Sequence, residues 1–446
     1  MDRKLLQSVP NNLLTRREFL WLSSMSAAGL AVGCATNPVT GRSQLMLVSE
    51  NQEIQIDKQH SPHQFSADYG QLQDKLLNGY INETGKRMAA KTHRPHMPYS
   101  FRGVNATYVN AYAFPGGSIA ATRGILLALD NEAELAALLG HELGHVNARH
   151  TAEQMSKGAL TNALVGGVAM IAGTQSSALG QLTSQLGMVG AGALLASYSR
   201  DNEREADALG LKYMVNSGYG ADGFVGLMDM LRSMNKHKPS AIELMFATHP
   251  MSDERYQTSV AAVNNQYASK KGLPLYRDRY MDRTAKLRAI KGAIDTMQQG
   301  ESEMANGKFD GAESLFKKAL KEAPADYAGL LMMSKCQLAQ KKYGEAKQFA
   351  EKAKSVYPTE AQAYMIAGFV KIQEKNFDAA HQDFVNYDKF LPGNPNILFF
   401  KGLSLEGMNQ IEASANDYYQ YLQIVNQGEK AKYAYQRLVK WGYIKP

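Results

Sequence analysis

Cysteine is scarce: 446 residues contain only Cys34 and Cys336. That excludes a disulfide framework and a cysteine-based metal site. Long apolar runs are missing as well. Leu20 to Val32 and Ala163 to Gly173 both fall short of the roughly 20 residues a membrane helix needs, and Gly166-Gly167 interrupts the second. No block of Lys or Arg and no stripe of basic and aromatic residues occurs, so nucleic-acid binding is not expected from the net charge of +7. A mildly basic surface instead suits an anionic membrane face. What is present is a globular composition, 44% hydrophobic and 20% charged, in a chain too long for one ordinary core.

Residues 1–34 read as an export signal. Thr15-Arg16-Arg17-Glu18-Phe19-Leu20 is similar to a twin-arginine signal. Leu30-Ala31-Val32-Gly33-Cys34 resembles a bacterial lipobox, with Ala31 where Leu is usual. The expectation is cleavage before Cys34, a lipid on that cysteine, and a periplasmic protein tethered to the outer membrane. Residues 35–50, with Pro38 and Gly41, read as a polar tether. His60, His63, His93 and His96 lie near Pro62, Pro95 and Pro98 and are expected in surface loops.

One pentapeptide carries chemistry: His141-Glu142-Leu143-Gly144-His145, inside an apolar helical run from Asn131 to Gln154. Residues four apart share a helix face, so the two imidazoles project together and suit one zinc ion. Glu142 stands beside them as a base for a water, the metalloprotease reading of this motif. Asn131 with Glu134 is spaced as a capping box. A third histidine on the same run is excluded, because Ala148 and Thr151 occupy the positions that would need Gly and His; His150 has the wrong spacing.

Glu203-Arg204-Glu205-Ala206-Asp207 opens a later helix ending near Gly218. Glu203 can complete a His2Glu set, and Asp207, one turn on, can hold the far nitrogen of a metal histidine. Upstream, Asn110 to Ile119 suggests a strand, a Pro-Gly-Gly turn and a second strand. Gly116, Gly117, Ser118 and Ile119 are taken as a sheet edge to which an extended substrate adds. Residues 158–196, rich in Gly, Ala and Leu, are expected to form a helical hairpin, a candidate lid.

These segments together resemble the gluzincin family of CAAX-prenyl and heat-shock membrane proteases, in particular its exported branch with tetratricopeptide repeats. The resemblance implies zinc, one ion per chain, on His141, His145 and Glu203, with Glu142 as general base and Asp207 behind a ligand. It also singles out His249 in Thr248-His249-Pro250, either steadying an oxyanion or closing the metal's open position. Its implied role is quality control of outer-membrane proteins, the repeats binding substrate or assembly machinery. The competing reading is a periplasmic chaperone or scaffold with a latent zinc domain.

The last third repeats. Phe309, Tyr343, Phe377 and Ile411 recur at one constant step. Ala312, Ala346 and Ala380 keep the same step, and so do Pro324, Pro358 and Pro392. A period of about 34 residues predicts tetratricopeptide helix pairs stacked into a solenoid. The expected fold is mainly α: an α+β zincin-like domain with a small sheet over 51–270, a helical connection over 271–292, four repeats over 293–428 and a capping helix over 429–446.

Overall fold

The computed structural model describes residues 34–165, 198–237 and 243–445. The expected export signal and most of the expected 158–196 hairpin lie outside the described residues.

Residues 35–50 are not a loose tether. They form a hairpin, β1 (Cys34–Thr36) with β2 (Ser43–Leu45), closed by the Asn37 side-chain oxygen, which accepts from Val39 N–H at 2.8 Å and Thr40 N–H at 3.1 Å. Helix α1 (Glu50–Ala67) follows, capped reciprocally by Ser49 and Gln52. Its inward face is polar. Glu53 takes Arg94 at 2.7 Å and Arg149 at 3.1 Å, and Asp57 accepts Ser118 N–H at 2.8 Å. Pro62 lies within this helix, and His63 is buried rather than on a surface loop. Helix α2 (Lys75–Ala89), capped by Asp74, buries Leu77, Tyr80, Ile81 and Met88.

Among the described residues, three strands make the domain's sheet: β3 (Ser100–Val104), β4 (Ala111–Ala113) and β5 (Ser118–Thr122), in the order β3-β5-β4. This corrects the edge assignment. Ser118 and Ile119 lie on the central strand, paired with Ser100 and Phe101 on one side and, through Ile119, with Ala113 on the other. Gly116 and Gly117 form the turn before it. The open edge is β4. Asn110 and Phe114 turn their backbone bonds toward β5 (Thr122 N to Asn110 O, 3.0 Å; Phe114 N to Ser118 O, 2.8 Å), so alternation aims Ala111 and Ala113 outward.

Eight helices among the described residues complete the domain and its connection: α3 (Arg123–Ala128), α4 (Glu132–Ala148), α5 (His150–Val165), α6 (Arg200–Asn216), α7 (Asp222–His237), α8 (Glu243–Thr248), α9 (Asp253–Asn265) and α10 (Arg277–Ala289). The expected single helix from Asn131 to Gln154 is two, because Arg149 sits in the left-handed region at φ 62°. Every residue of α4 is buried, so it is the axis of the first core.

The solenoid is built from pairs α11 (Lys291–Ala305) and α12 (Phe309–Glu322), α13 (Tyr327–Ala339) and α14 (Tyr343–Val356), α15 (Ala361–Gln373) and α16 (Phe377–Phe390), α17 (Pro395–Gly407) and α18 (Ile411–Ile424), with α19 (Glu429–Lys440) over the last. Each second helix begins on the residue that marks the repeat period. Two positions earlier, Gly307, Lys341, Lys375 and Asn409 all take positive φ, the reversal that folds each pair back on itself. Ala312, Ala346, Ala380 and Ser414 are 0% exposed, small enough for paired helices to close. Cys336 is core, as expected.

The first helices of repeats one to three do not face solvent; they dock on the first domain. Tyr69, at φ 63°, places its ring 4.4 Å from Lys335 Nζ and donates its hydroxyl to Glu301 at 3.2 Å. Thr107 also bonds Glu301, Ser66 and Tyr327 bond Glu360, and Tyr108 reaches Asp68 at 2.7 Å. Three largely covered carboxylates thus share one ammonium. Burial pushes Asp68, Glu301 and Glu360 up and brings Lys335 down to about 8. A carboxyl whose folded pKa is raised contributes stability that is complete below its ordinary value and lost as pH rises through the folded value. Stability is therefore expected to decline as pH rises above the ordinary carboxylate range. Asp68→Asn should flatten that decline in thermal melts; a slope unchanged by the substitution contradicts the assignment.

Candidate metal centre

Helix α4 is started by Asn131, whose side chain accepts Glu134 N–H at 2.9 Å, while Glu134 returns a bond to Asp130 N–H at 2.7 Å. Leu135, Leu138, Leu139 and Leu143 anchor it in the core. Its partner is α6, and almost nothing separates the two backbones. A Cβ on Gly144 would lie 2.8 Å from Ala206 Cα, one on Gly140 2.8 Å from Gly210 O, and one on Gly210 2.7 Å from His141 N. This approach carries Glu203 onto the histidine pair.

His141 Nε2 and His145 Nε2 are 3.0 Å apart. Glu203 Oε2 is 3.5 Å from the first, and Oε1 is 3.3 Å from the second. His249, following α8, adds Nδ1 at 3.0 Å from Glu203 Oε1 and 3.3 Å from His141 Nε2. The four ligand atoms lie within 4.8 Å of one another and all four residues are buried. Tetrahedral zinc with bonds of about 2.0–2.1 Å spaces its ligand atoms about 3.3 Å apart. The closest pairs, at 3.0–3.5 Å, fit that geometry. Lone pairs converging so closely away from water suit a bound cation.

The surroundings fix the ligands. His141 donates Nδ1–H to Asp207 at 2.9 Å, leaving Nε2 bare toward the centre. Arg255 holds Asp207 through two bonds of 2.8 Å and reaches Glu203 at 2.6 Å. Burial opposes ionisation of Glu203, but His249 and His141 hold it well below the ordinary carboxylate range. Burial also disfavours the cationic form of His249, yet Glu203 and Glu142 raise its pKa overall. Burial takes His145 well below its usual value, the neutral state a ligand requires. Tyr198 stacks on the His145 ring at 3.8 Å and donates its backbone N–H to Thr248 O at 3.0 Å, bridging the histidine pair to the residue before His249. Nothing in the sequence pattern marks Tyr198 for this position.

Glu142 is 1% exposed. Its Oε1 is 3.9 Å from His249 Nε2, and its Oε2 has no hydrogen-bond partner among the described residues. Burial raises its pKa, with His249 and His141 pulling the other way. A carboxylate in that state is ready to receive a proton. All six residues singled out for this chemistry therefore converge: His141, Glu142, His145, Glu203, Asp207 and His249. The strand expected to meet substrate is not the one beside these residues, since β4 rather than β5 packs against α4. Beside His141 and His249 the cavity is only about 20 Å³, walled by Leu227, Met228, Met245 and Phe246, room for one water at most.

The family model of peptidase family M48 matches residues 75–262. These residues are therefore similar to M48 peptidase domains. A tetratricopeptide-repeat model matches residues 303–367. A putative beta-barrel assembly-enhancing protease of Vibrio cholerae is 28% identical over 57% of this chain and 57% of its own. The beta-barrel assembly-enhancing protease of Yersinia pestis is 32% identical over 41% and 38%. Mitochondrial metalloendopeptidase OMA1 of Schizosaccharomyces pombe is 28% identical over 54% and 70%. The chain thus spans about half the length of the assembly-enhancing proteases it matches.

In this domain the helix spacing should govern metal affinity. Gly144→Ala pushes a methyl into the Ala206 backbone and should cost about 1–3 kcal/mol of stability. Zinc affinity should fall about tenfold or more, measured by chelator competition. An unchanged affinity would show that the close approach does not set the ligand geometry.

Proposed function

We propose that the chain is a zinc-dependent endopeptidase of exported or outer-membrane proteins, working in envelope quality control and resting in a closed state. The observation that carries this is the buried Glu142 carboxylate, its Oε2 without a hydrogen-bond partner, beside four converging ligand side chains. Zinc bound there supplies Lewis acidity toward a scissile carbonyl and a water. Glu142 accepts the proton of the attacking water and delivers it to the leaving amine. Asp207, fixed by Arg255, keeps His141 presenting Nε2. The outward edge of β4, through Ala111 and Ala113, offers main-chain bonds to an extended substrate.

His249 accounts for the closed state. Catalytic zinc sites keep three protein ligands and an open position, whereas a fourth protein ligand closes the set. With His249 in place the fourth position is filled until the segment at Thr248-His249-Pro250 moves. Export, lipidation at Cys34 and outer-membrane tethering belong to the same proposal, supported by the signal-like N-terminus. The names of the matched relatives support a link to beta-barrel assembly. Because the first-helix faces of repeats one to three are taken, the partner surface falls on the C-terminal repeats, where Tyr419, Ile424, Tyr433, Tyr435 and Tyr443 are exposed.

Glu142→Gln should abolish cleavage of an unfolded outer-membrane barrel protein while zinc still binds one per chain. Full function of that variant in cells would favour the scaffold with a latent metal domain, a reading that the four-ligand closure also accommodates. His249→Ala should raise peptide turnover several-fold by opening the fourth position. Turnover indistinguishable from that of the unaltered protein would remove His249 from the mechanism.

A further inference from the structure

His150 stands five residues after His145, and on a continuous helix the two would point well apart. The break at Arg149 changes that. Arg149 takes φ 62° and ψ 33°, a conformation that disfavours a non-glycine residue. It is held there by its own guanidinium, which donates to Glu53 at 3.1 Å and to Val48 O at 2.7 Å. Chain direction turns, α5 starts on His150, and the His150 ring folds back to 5.0 Å from the His145 ring, 1% exposed.

The contacts then admit one proton arrangement. His145 Nε2 faces Glu203 and His141, so it is the ligand nitrogen and carries no proton. A neutral imidazole keeps its proton on the other nitrogen. That nitrogen, Nδ1, is 3.0 Å from His150 Nδ1, which must therefore accept. His150 in turn holds its proton on Nε2, 3.2 Å from Glu205 Oε2. We propose that Glu205 and His150 form a positioning relay that fixes the tautomer and orientation of His145, as Asp207 does directly for His141.

Helix α6 would then support the centre three times within five residues. Glu203 is a ligand, Asp207 lies behind one histidine, and Glu205 lies behind the other through an intervening ring. Residues behind metal histidines typically govern affinity by about 10–100-fold. The placement also gives the strained turn at Arg149 a purpose: without it, His145 Nδ1–H has no acceptor in this position.

The relay rests on the metal reading above, and its test separates the two. His150→Ala, Glu205→Gln and the double variant are compared with the unaltered chain by chelator competition for Zn2+, by cobalt-substituted absorption spectra, and by melting of the metal-free protein. His150→Ala is expected to weaken zinc binding about 10–100-fold. Glu205→Gln, on a partly exposed side chain, is expected to lower it by a smaller factor and to change the cobalt spectrum while metal-free melting stays the same. The double variant should lose no more than His150→Ala alone, because both act through one ring. Zinc affinity and cobalt spectrum unaltered by Glu205→Gln, or losses that simply multiply, overturn the relay, and Glu205→Gln keeps the test decisive if His150→Ala fails to fold. An unaltered protein that takes up no zinc overturns the metal reading itself.

Discussion

Gly140 and Gly144 on one helix meet Gly210 and Ala206 on the other with no side chain between them, and the centre follows from that contact. Two histidines one turn apart project from any helix. A carboxylate from a distant helix reaches them only if the backbones come nearly to van der Waals contact. A single methyl in the seam would separate Glu203 from the imidazoles by a large fraction of a metal–ligand bond. The leucines of α4, Tyr213 and Met214 of α6 and Met228 of α7 hold the seam shut from outside, so core packing and ligand geometry are one problem.

Charge is then arranged around that seam with little to spare. Glu203 and Asp207 share Arg255, Glu53 shares Arg94 and Arg149, and each arginine is almost wholly covered. Removing one member of such a group leaves an uncompensated charge, which costs far more than the pair contributes. The junction with the solenoid is built differently. Its three carboxylates outnumber the one lysine, so much of its hydrogen bonding falls to hydroxyls of Ser66, Thr107, Tyr69, Tyr108 and Tyr327. That makes the docking of the two domains sensitive to protonation in a way the apolar cores are not.

The repeats are the most legible part, because each unit answers to its neighbours alone and the same position meets the same packing need once per repeat. Phe309, Tyr343, Phe377 and Ile411 start their helices as the period requires. The candidate metal ligands on α4 and α6 are nearly as legible, since helical spacing places side chains without long-range information. The misreadings share a cause. His63 and the polar face of α1 look solvent-facing until Arg94, Arg149 and the solenoid turn arrive. Gly116 to Ile119 look like an edge until β3 pairs with β5 from beyond the turn. His150 looks misplaced until Arg149 turns the chain.

By itself the sequence determined what periodicity and short spacing can carry: the metal motif on a capped helix, the carboxylate helix, Glu142 beside the histidines, and the array of helix pairs. Only the tertiary structure decided which strand edge stays open, which solenoid face is already occupied, and that His249 stands among the candidate ligands. Those features depend on groups brought together from far along the chain, where burial and electrostatic complementarity select the partner. Local pattern is silent about such a choice, because the same residues in isolation satisfy their hydrogen bonds with water.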